Sequence, residues 1–272
     1  MDRNFKLLIA YDGAGFHGWQ NQPGLDTVQG TLEQAARRVL RHPIEIIGSG
    51  RTDAGVHAAG QVANFLTSSS IPVYNCLRAI GSRLPVEINL RDVAEVSRRF
   101  HANRSAESKL YRYRIHNSSQ RPVEHRTQRY CYHFWHELDA ARMREGARFF
   151  IGELDFSALA SAGCVRETMV RTVLRCDIRR HYDEIAIDVE GKGFLYNQVR
   201  NMVGTLIEVG RGRWEPRRVK DIIESRERKE AGPTAPAHGL CLQWVRYPPD
   251  VLTPDCDDDP PKPGEAPAAA DR

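Results

Sequence analysis

Two hydrophobic periods alternate along this chain. In residues 27–41 apolar side chains recur every three or four positions, which is the spacing of a helix that packs one face on a sheet. Shorter segments rich in apolar, β-branched and aromatic residues separate such helices and are typical of strands. We therefore predict helices at 27–41, 70–85, 138–152, 197–210 and 215–228, and strands at 5–11, 57–67, 88–96, 109–116, 128–134, 171–181, 184–194 and 240–247.

Local signals add detail to two of these elements. Ser70 precedes Ile71 and Pro72, so it is expected to cap the second helix, with the proline in the first turn. Tyr182 and Asp183 lie between two strand-like segments and predict the turn of a hairpin.

Strands and helices are mixed in both halves of the chain, without the strict alternation that builds a parallel sheet. This order predicts an α+β protein made of two similar α/β-sandwich halves, each a mainly antiparallel mixed sheet flanked by helices. We place an N-terminal domain at residues 1–104 and a C-terminal domain at 105–247, with the boundary near 98–108. A cleft between two such halves is a usual place for a ligand, so we expect the active site there.

Charge is distributed unevenly between the body and the C-terminal end. The last stretch, residues 248–272, has seven acids, two basic residues and many prolines, so it is predicted to be a disordered tail. The remaining body has 37 Lys and Arg against 28 Asp and Glu, a net charge of +9. This balance favours a polyanionic partner such as nucleic acid. Lysines and arginines on an ordinary solvated surface would account equally well for the same charge.

The cysteines and the hydropathy pattern exclude several classes of protein. No apolar run approaches the roughly 18 residues of a membrane span, so we expect a cytoplasmic protein that does not enter a membrane. The cysteines lack CxxC or Cys/His ligand spacing, which indicates reduced thiols rather than a zinc site or a disulfide framework. They occur at positions 76, 131, 164, 176, 241 and 256.

One aspartate lies in an unusually small-residue setting, the segment "GSGRTDAGVHA" at 48–58. If the backbone is extended, Arg51 and Asp53 point to the same side, where the arginine keeps the carboxylate ionised by an attraction of roughly 4 kcal/mol before desolvation. An ionised and uncrowded Asp53 is suited to act as a nucleophile or a base. The alternative is that Asp53 and Gly55 only form a turn, since both are preferred turn residues.

Familiar motifs do not account for this segment. The third glycine of GxGxxG is replaced by Asp53, and no lysine follows as in a phosphate-binding GxxxxGK[ST] loop. "TDAG" resembles the Asp-Thr-Gly turn of aspartic proteases, but the chain has no second copy to pair with it. The HxE and PCxxC signature of base deaminases is also missing.

Two further residues are candidates for the same site. Arg200 lies at the edge of the apolar stripe of the predicted helix 197–210, where it either reaches a carboxylate such as Asp53 or extends to solvent. Tyr111 lies in "FHANRSAESKLYRYRIH" (100–116), where basic residues alternate with tyrosines. In a strand Tyr111, Tyr113 and Ile115 share one face, so these tyrosines either belong to the core or present a ring on which a flipped base stacks.

Five blocks of this sequence resemble the tRNA pseudouridine synthase A family. They occur in the family's order and spacing, cover essentially residues 5–247, and include the "GRTDAGVHA" core that is specific to that family. The acidic tail and the variable "AESK" before Leu110 lie outside the motifs. The blocks are "YDGAGFHGWQNQPGLDTVQGTLE" (11–33), "GSGRTDAGVHAAGQVANF" (48–65), "FHANRSAESKLYRYRI" (100–115), "FLYNQVRNMVGTLIEVGRG" (194–212) and "APAHGLCLQWVRY" (235–247).

The resemblance implies isomerisation of uridine to pseudouridine in the anticodon stem-loop of tRNA, at positions 38, 39 and 40, without a cofactor or metal. By the same resemblance Asp53 matches the essential aspartate, either as a nucleophile at the sugar or as a base that forms a glycal. Tyr111 matches the tyrosine that packs on the target base and assists proton removal at C5. Arg51 matches an arginine that holds the flipped nucleotide, and Arg200 the arginine that pairs with the aspartate. The family also implies a homodimer with one tRNA across both subunits.

Two other functions remain as alternatives. A glycosidase also works at an anomeric carbon, but its usual mechanism needs a second carboxylate about 5–10 Å away, and no partner for Asp53 is evident in the sequence. A non-catalytic RNA-binding protein would have the same basic body, with Asp53 only shaping a turn.

Overall fold

A computed structural model describes residues 2–161 and 167–255, and within them ten strands form one continuous mixed sheet. The main path runs β4-β1-β3-β10-β5-β9-β8-β7, with β2 paired to β3 and β6 to β5. The strands are β1 (Arg3–Tyr11), β2 (Ile47–Gly48), β3 (His57–Thr67), β4 (Ile88–Val96), β5 (Ser108–Asn117), β6 (Tyr132–Phe134), β7 (Gly152–Asp155), β8 (Val170–His181), β9 (Glu184–Gly191) and β10 (Leu240–Arg246).

The last strand of the chain lies at the centre of the sheet. β10 runs parallel to β3 on one side and antiparallel to β5 on the other. Within each half the main pairings, β1 with β3 and β4, and β9 with β5 and β8, are antiparallel. The predicted α+β class with a mainly antiparallel mixed sheet is confirmed. The predicted boundary near 98–108 falls between β4 and β5, and β10 carries the sheet across it, so the division at 104/105 stays a prediction.

Helices pack their apolar faces against the sheet and complete the core. Alternate residues of β1, namely Phe5, Leu7 and Ile9, are fully buried in the same cluster as the helix residues Leu32 and Leu206. Among the described residues no helix is long and apolar enough to cross a membrane. The helices are α1 (Val28–Leu40), α2 (Val73–Gly81), α3 (His125–Tyr130), α4 (Ala140–Ala147), α5 (Gln198–Gly210) and α6 (Arg218–Ser225).

Two local predictions are wrong. Pro72, not Ser70, is the N-cap of α2, because its backbone is still extended (φ −61°, ψ 141°) and the helix begins at the next residue. Proline has no side-chain acceptor, so this cap makes no side-chain hydrogen bond. The predicted strand 128–134 is a strand only from Tyr132 to Phe134, because α3 occupies the residues before it. The side chains of Arg129 and Tyr130 both bond to the Asp12 carboxylate, which fixes α3 against the end of β1 and is not visible in the local pattern.

The start of the C-terminal segment is also better ordered than the composition predicts. Pro249–Val251 form a 3₁₀ turn, and Val251 and Leu252 pack on a small apolar cluster around Phe100 and Tyr247. The Asp255 carboxylate accepts hydrogen bonds from the Ser97 hydroxyl (2.7 Å) and the Arg98 backbone N–H (2.8 Å). The expectation of disorder is therefore wrong for residues 248–255, and residues 256–272 lie outside the described part of the chain.

Candidate active site

The segment that contains Asp53 forms a loop between β2 and β3, and both readings of the sequence apply to it. The Asp53 carbonyl accepts a hydrogen bond from the Val56 N–H (3.1 Å), and Gly55 has a positive φ of 79°. This is the predicted turn, and glycine suits its left-handed position. The turn uses the backbone of Asp53, however, so its carboxylate is left available for another partner.

That partner is Arg200, from α5 in the other half of the chain. Its Nη1 lies 3.2 Å from Asp53 Oδ2, and the Asp53 side chain is 24% exposed. Burial raises the pKa of Asp53, while the charge and hydrogen bond of Arg200 oppose that effect. Asp53 is thus a carboxylate that is partly withdrawn from water, and the guanidinium of Arg200 supports its ionised form.

Other groups fix the direction in which Arg200 points. Its Nε donates to the Ala235 carbonyl (2.7 Å) and its Nη1 donates to Asn197 Oδ1 (2.7 Å). Asn197 precedes α5 in the left-handed conformation with φ 59°, which asparagine tolerates better than most residues. Arg200 therefore reaches Asp53 and does not extend to solvent, which resolves the two alternatives left open by the sequence.

Arg51 occupies a different position from the one that an extended segment predicts. Its side chain is exposed, and its Nε donates to Gln20 Oε1 (3.1 Å) rather than pairing with Asp53. Residues 51–53 are not part of a strand, since β2 ends at Gly48 and β3 begins at His57. The expected ion pair between Arg51 and Asp53 is thus wrong, and the stabilising arginine is Arg200.

Tyr111 lies on β5 and faces the same region as Asp53. Its side chain is buried and its ring contacts Phe194 edge-on, with centroids 5.4 Å apart. Burial raises the pKa of Tyr111, and the nearby Tyr11 and Asp53 raise it further. Tyr113 and Ile115 share this face and are fully buried, as the alternation predicts. The three sequence-predicted residues Asp53, Tyr111 and Arg200 are therefore brought together, and Arg51 lies at the exposed rim of the same loop.

Sequence reasoning missed several buried polar residues beneath the loop. Lys109 is buried, and its Nζ donates to the carbonyl of Ser49 and lies 3.5 Å from Asn103 Oδ1. Gln61 is fully buried although it lies within the apolar strand β3. A glutamine inside "HAAGQVANF" is the sequence signal for such a site, because a buried amide needs hydrogen-bonding partners.

Within the described part of the chain, no second acid shifts the pKa of Asp53. Among the residues that the structure describes, Arg200 is the one charged group that shifts the pKa of Asp53. Within the same residues, no group of three His, Cys, Asp or Glu side chains is placed to hold a metal ion. A cavity of about 590 Å³ lies elsewhere, lined by Asp12, Arg129 and Tyr130 among others, and does not include Asp53. The site can therefore supply one carboxylate, one guanidinium, one phenol and an apolar ring.

Comparison with known proteins identifies the relatives of this chain. A model of the tRNA pseudouridine synthase family matches residues 7–103 and 147–248. The tRNA pseudouridine synthase A of Acetivibrio thermocellus is 46% identical over 248 residues, covering 90% of this chain and all of that protein. The proteins of the same name from Caldicellulosiruptor saccharolyticus (44% identical) and Geobacter sulfurreducens (42% identical) each also cover 90% of this chain and align over their full length. A chain of the archaeal box H/ACA sRNP Nop10-Cbf5 complex aligns at 12% identity and a TM-score of 0.36, over 84% of this chain and 59% of that chain.

Proposed function

Since the chain belongs to the tRNA pseudouridine synthase family, we propose that it isomerises uridine to pseudouridine in tRNA. The observation that carries this proposal is the partly buried carboxylate of Asp53, which is paired to Arg200 and whose charge acts on the buried Tyr111. The net charge of +9 on residues 1–247 suits a polyanionic substrate.

The proposed reaction exchanges one bond at the ribose C1′ for another and consumes no oxidant or metal. The bond between uracil N1 and the ribose C1′ breaks, the base turns, a new bond forms between C5 and C1′, and the proton on C5 passes to solvent while N1 gains one. Asp53 either attacks C1′ as the N1 bond breaks and is displaced when C5 bonds to C1′, or removes the C2′ proton to form a glycal and returns it when that bond forms. Both routes need its ionised form. Arg200 supports that form by its charge and hydrogen bond.

We propose that Tyr111 is the platform for the target base. Its ring packs on Phe194 in a T-shaped pair, and the charge of Asp53 acts on its hydroxyl. Because burial raises the pKa of Tyr111, its hydroxyl is neutral at physiological pH and acts as a hydrogen-bonding group rather than as a phenolate. It is placed to assist removal of the C5 proton once the base has turned.

A uridine inside a stem must leave the base stack before it reaches Asp53. Flipping costs a few kcal/mol, which contacts to the phosphate backbone must offset. Arg51 is suited to such a contact, because it is exposed at the rim of the Asp53 loop, where its Nε donates to Gln20. We place the target in the anticodon stem-loop, at positions 38, 39 and 40, and expect the enzyme to act in the cytoplasm.

Two copies of the chain are proposed to act together on one tRNA. A homodimer would extend the basic surface over more of the L-shaped substrate than one subunit covers. Sedimentation equilibrium at micromolar concentration tests this part separately: a dimeric mass supports it, and a monomeric mass with full activity contradicts it.

Mapping the product tests the proposed activity and its position. An unmodified tRNA transcript with uridines at 38, 39 and 40 is incubated with the protein, treated with a carbodiimide that marks pseudouridine, and read by primer extension. We expect new stops at those positions and none on a matched transcript with cytidine there. Stops elsewhere would contradict the assigned position, and no stops on any tRNA would favour a non-catalytic RNA-binding protein.

A further inference from the structure

A network of uncharged polar groups lies beneath the loop that carries Asp53. The Tyr11 hydroxyl on β1 lies 2.7 Å from Thr52 Oγ1. Gln61 on β3 donates through Nε2 to the Gly50 carbonyl (3.0 Å) and to the Tyr11 hydroxyl (3.4 Å). The Ser49 hydroxyl donates to Gln61 Oε1 (2.6 Å). Two strand residues therefore hold three successive parts of the loop, at Ser49, Gly50 and Thr52.

Every side chain of this network is withdrawn from water. Tyr11, Ser49, Thr52 and Gln61 are all buried. Burying so many hydroxyl and amide groups is costly unless each has a partner, and apolar side chains would fill the same space without that cost. Their satisfied bonds specify one arrangement of the loop, which is the usual benefit of a fully connected buried network.

The backbone on either side of Thr52 is fixed as well. The Thr52 carbonyl accepts a hydrogen bond from the Trp19 N–H (3.0 Å), and the carbonyl of the next residue, Asp53, accepts one from Val56 (3.1 Å). With the hydroxyl of Thr52 bound to Tyr11, the residue before the carboxylate has little freedom to rotate. The 3.2 Å contact between Asp53 and Arg200 depends on that orientation.

We propose that Tyr11 and Thr52 are positioning residues for the reaction, with Gln61 as the group that links Tyr11 to the loop at Ser49 and Gly50. This inference rests on the proposed function: neither residue is required to touch the nucleotide, and each acts through the placement of Asp53. Misplacement of a reacting group by about 1 Å is enough to reduce turnover by about 100-fold. Loss of the bond is therefore expected to lower kcat while leaving KM for tRNA nearly constant.

Substitutions at Thr52 separate the hydroxyl from the shape of the side chain. Thr52→Val has the same volume and removes the hydroxyl, so we expect kcat to fall about 10- to 100-fold with KM changed less than about twofold. Thr52→Ser keeps the hydroxyl and is expected to recover most of the lost turnover. Tyr11→Phe removes the same bond from the other side, together with the weaker bond from Gln61. The double variant Tyr11→Phe/Thr52→Val is expected to be no slower than Tyr11→Phe alone, because Thr52→Val removes no interaction that Tyr11→Phe has not already removed.

Tyr130→Phe is the matched control. It also removes a tyrosine hydroxyl that binds a side-chain oxygen, that of Asp12 at 2.8 Å, at the end of β1 outside the loop. We expect its kcat to equal that of the wild type, even if its melting temperature falls as much as that of Tyr11→Phe.

The outcomes distinguish this inference from the proposed function. Wild-type kcat in soluble, folded Thr52→Val, or an equal loss in Thr52→Ser and Thr52→Val, would overturn the positioning role while the wild type still makes pseudouridine. A wild type that makes no pseudouridine would overturn the proposed function itself. If Tyr11→Phe does not fold, the pair of Thr52 variants still decides the question.

Discussion

Asp53 and Arg200 are 147 residues apart in the chain, and their side chains meet at 3.2 Å. Asp53 belongs to the loop before β3, and Arg200 to α5 in the second half of the chain. β10 lies between β3 and β5 and joins the two halves into one sheet. The pair exists only when both halves are folded, so the carboxylate obtains its supporting charge as a consequence of the complete fold.

The first prediction concerns stability. Burial raises the pKa of Asp53 above its ordinary value, so the folded state favours the protonated form. As the pH rises from the ordinary pKa of aspartate to the raised pKa, Asp53 therefore lowers the free energy of unfolding. Asp53→Asn is therefore expected to abolish activity while leaving the melting temperature at pH 7.5 unchanged or slightly higher. Arg200 keeps its bonds to Asn197 and Ala235 in that variant.

Asp188→Asn is the control for this measurement. Burial alone raises the pKa of Asp188, but its bonds and charge interactions with Arg112 and Arg179 outweigh burial and lower it. Its ionised form therefore stabilises the fold above the ordinary pKa of aspartate, and that stability is lost as the pH falls. We expect the melting temperature of Asp188→Asn to fall by several degrees. An equal fall in Asp53→Asn would show that Asp53 has a structural role.

The second prediction concerns the pH dependence of turnover. Arg200 lowers the pKa of Asp53 against the effect of burial, so Arg200→Gln is expected to move the acid limb of kcat/KM to higher pH by about 1 unit. Arg200→Lys keeps the charge but not the paired bonds, and a smaller shift is expected. A lower plateau with an unshifted acid limb would show that Arg200 does not set the ionisation of Asp53.

The third prediction separates the ring of Tyr111 from its hydroxyl. Tyr111→Phe keeps the edge-on contact with Phe194, so affinity for tRNA is expected to stay within about twofold, while turnover falls by about 100-fold. Single-turnover rates and filter-binding constants measure the two effects separately. Unchanged turnover would remove the hydroxyl from the mechanism and leave Tyr111 as a stacking surface.

The fourth prediction concerns Arg51. Its exposed side chain bonds to Gln20 and to no other described residue, so Arg51→Ala is expected to leave the melting temperature unchanged. If Arg51 contacts a phosphate, KM for tRNA rises several-fold and the slope of log affinity against log salt falls by about 1. A salt slope equal to that of the wild type would mean that Arg51 makes no phosphate contact.

Local elements of this fold are predicted well from the sequence, and non-local ones are not. The bounds of β3 and β4 match the prediction, because alternation and flanking polar residues mark them. α3 was missed because its position depends on bonds from Arg129 and Tyr130 to Asp12, more than 110 residues away. β10 likewise lies at the centre of the sheet because of its pairing with β3 and β5, and the local hydrophobic pattern of the sequence does not predict that pairing.

In the candidate site, too, local features are predicted from the sequence and non-local ones are not. The motif around Asp53 and the edge position of Arg200 are visible in the sequence. The structure shows that Asp53 forms the turn and also pairs through its carboxylate, and that Arg200 reaches this carboxylate rather than solvent. The Tyr11–Thr52–Gln61 network was not predicted, since its members come from three separate segments and their bonds exist only in the folded sheet. The expected pairing of Arg51 with Asp53 failed because it assumed an extended backbone where the chain turns.

Tritium release is the most direct test of the central claim that Asp53 performs the chemistry. The wild type and Asp53→Asn are each incubated with unmodified tRNA that carries tritium at C5 of uridine, and tritium in the water is counted alongside tRNA affinity. We expect release by the wild type alone, with both proteins binding tRNA equally well. Release by Asp53→Asn at the wild-type rate would contradict the role of Asp53, and release by neither protein would contradict pseudouridine formation.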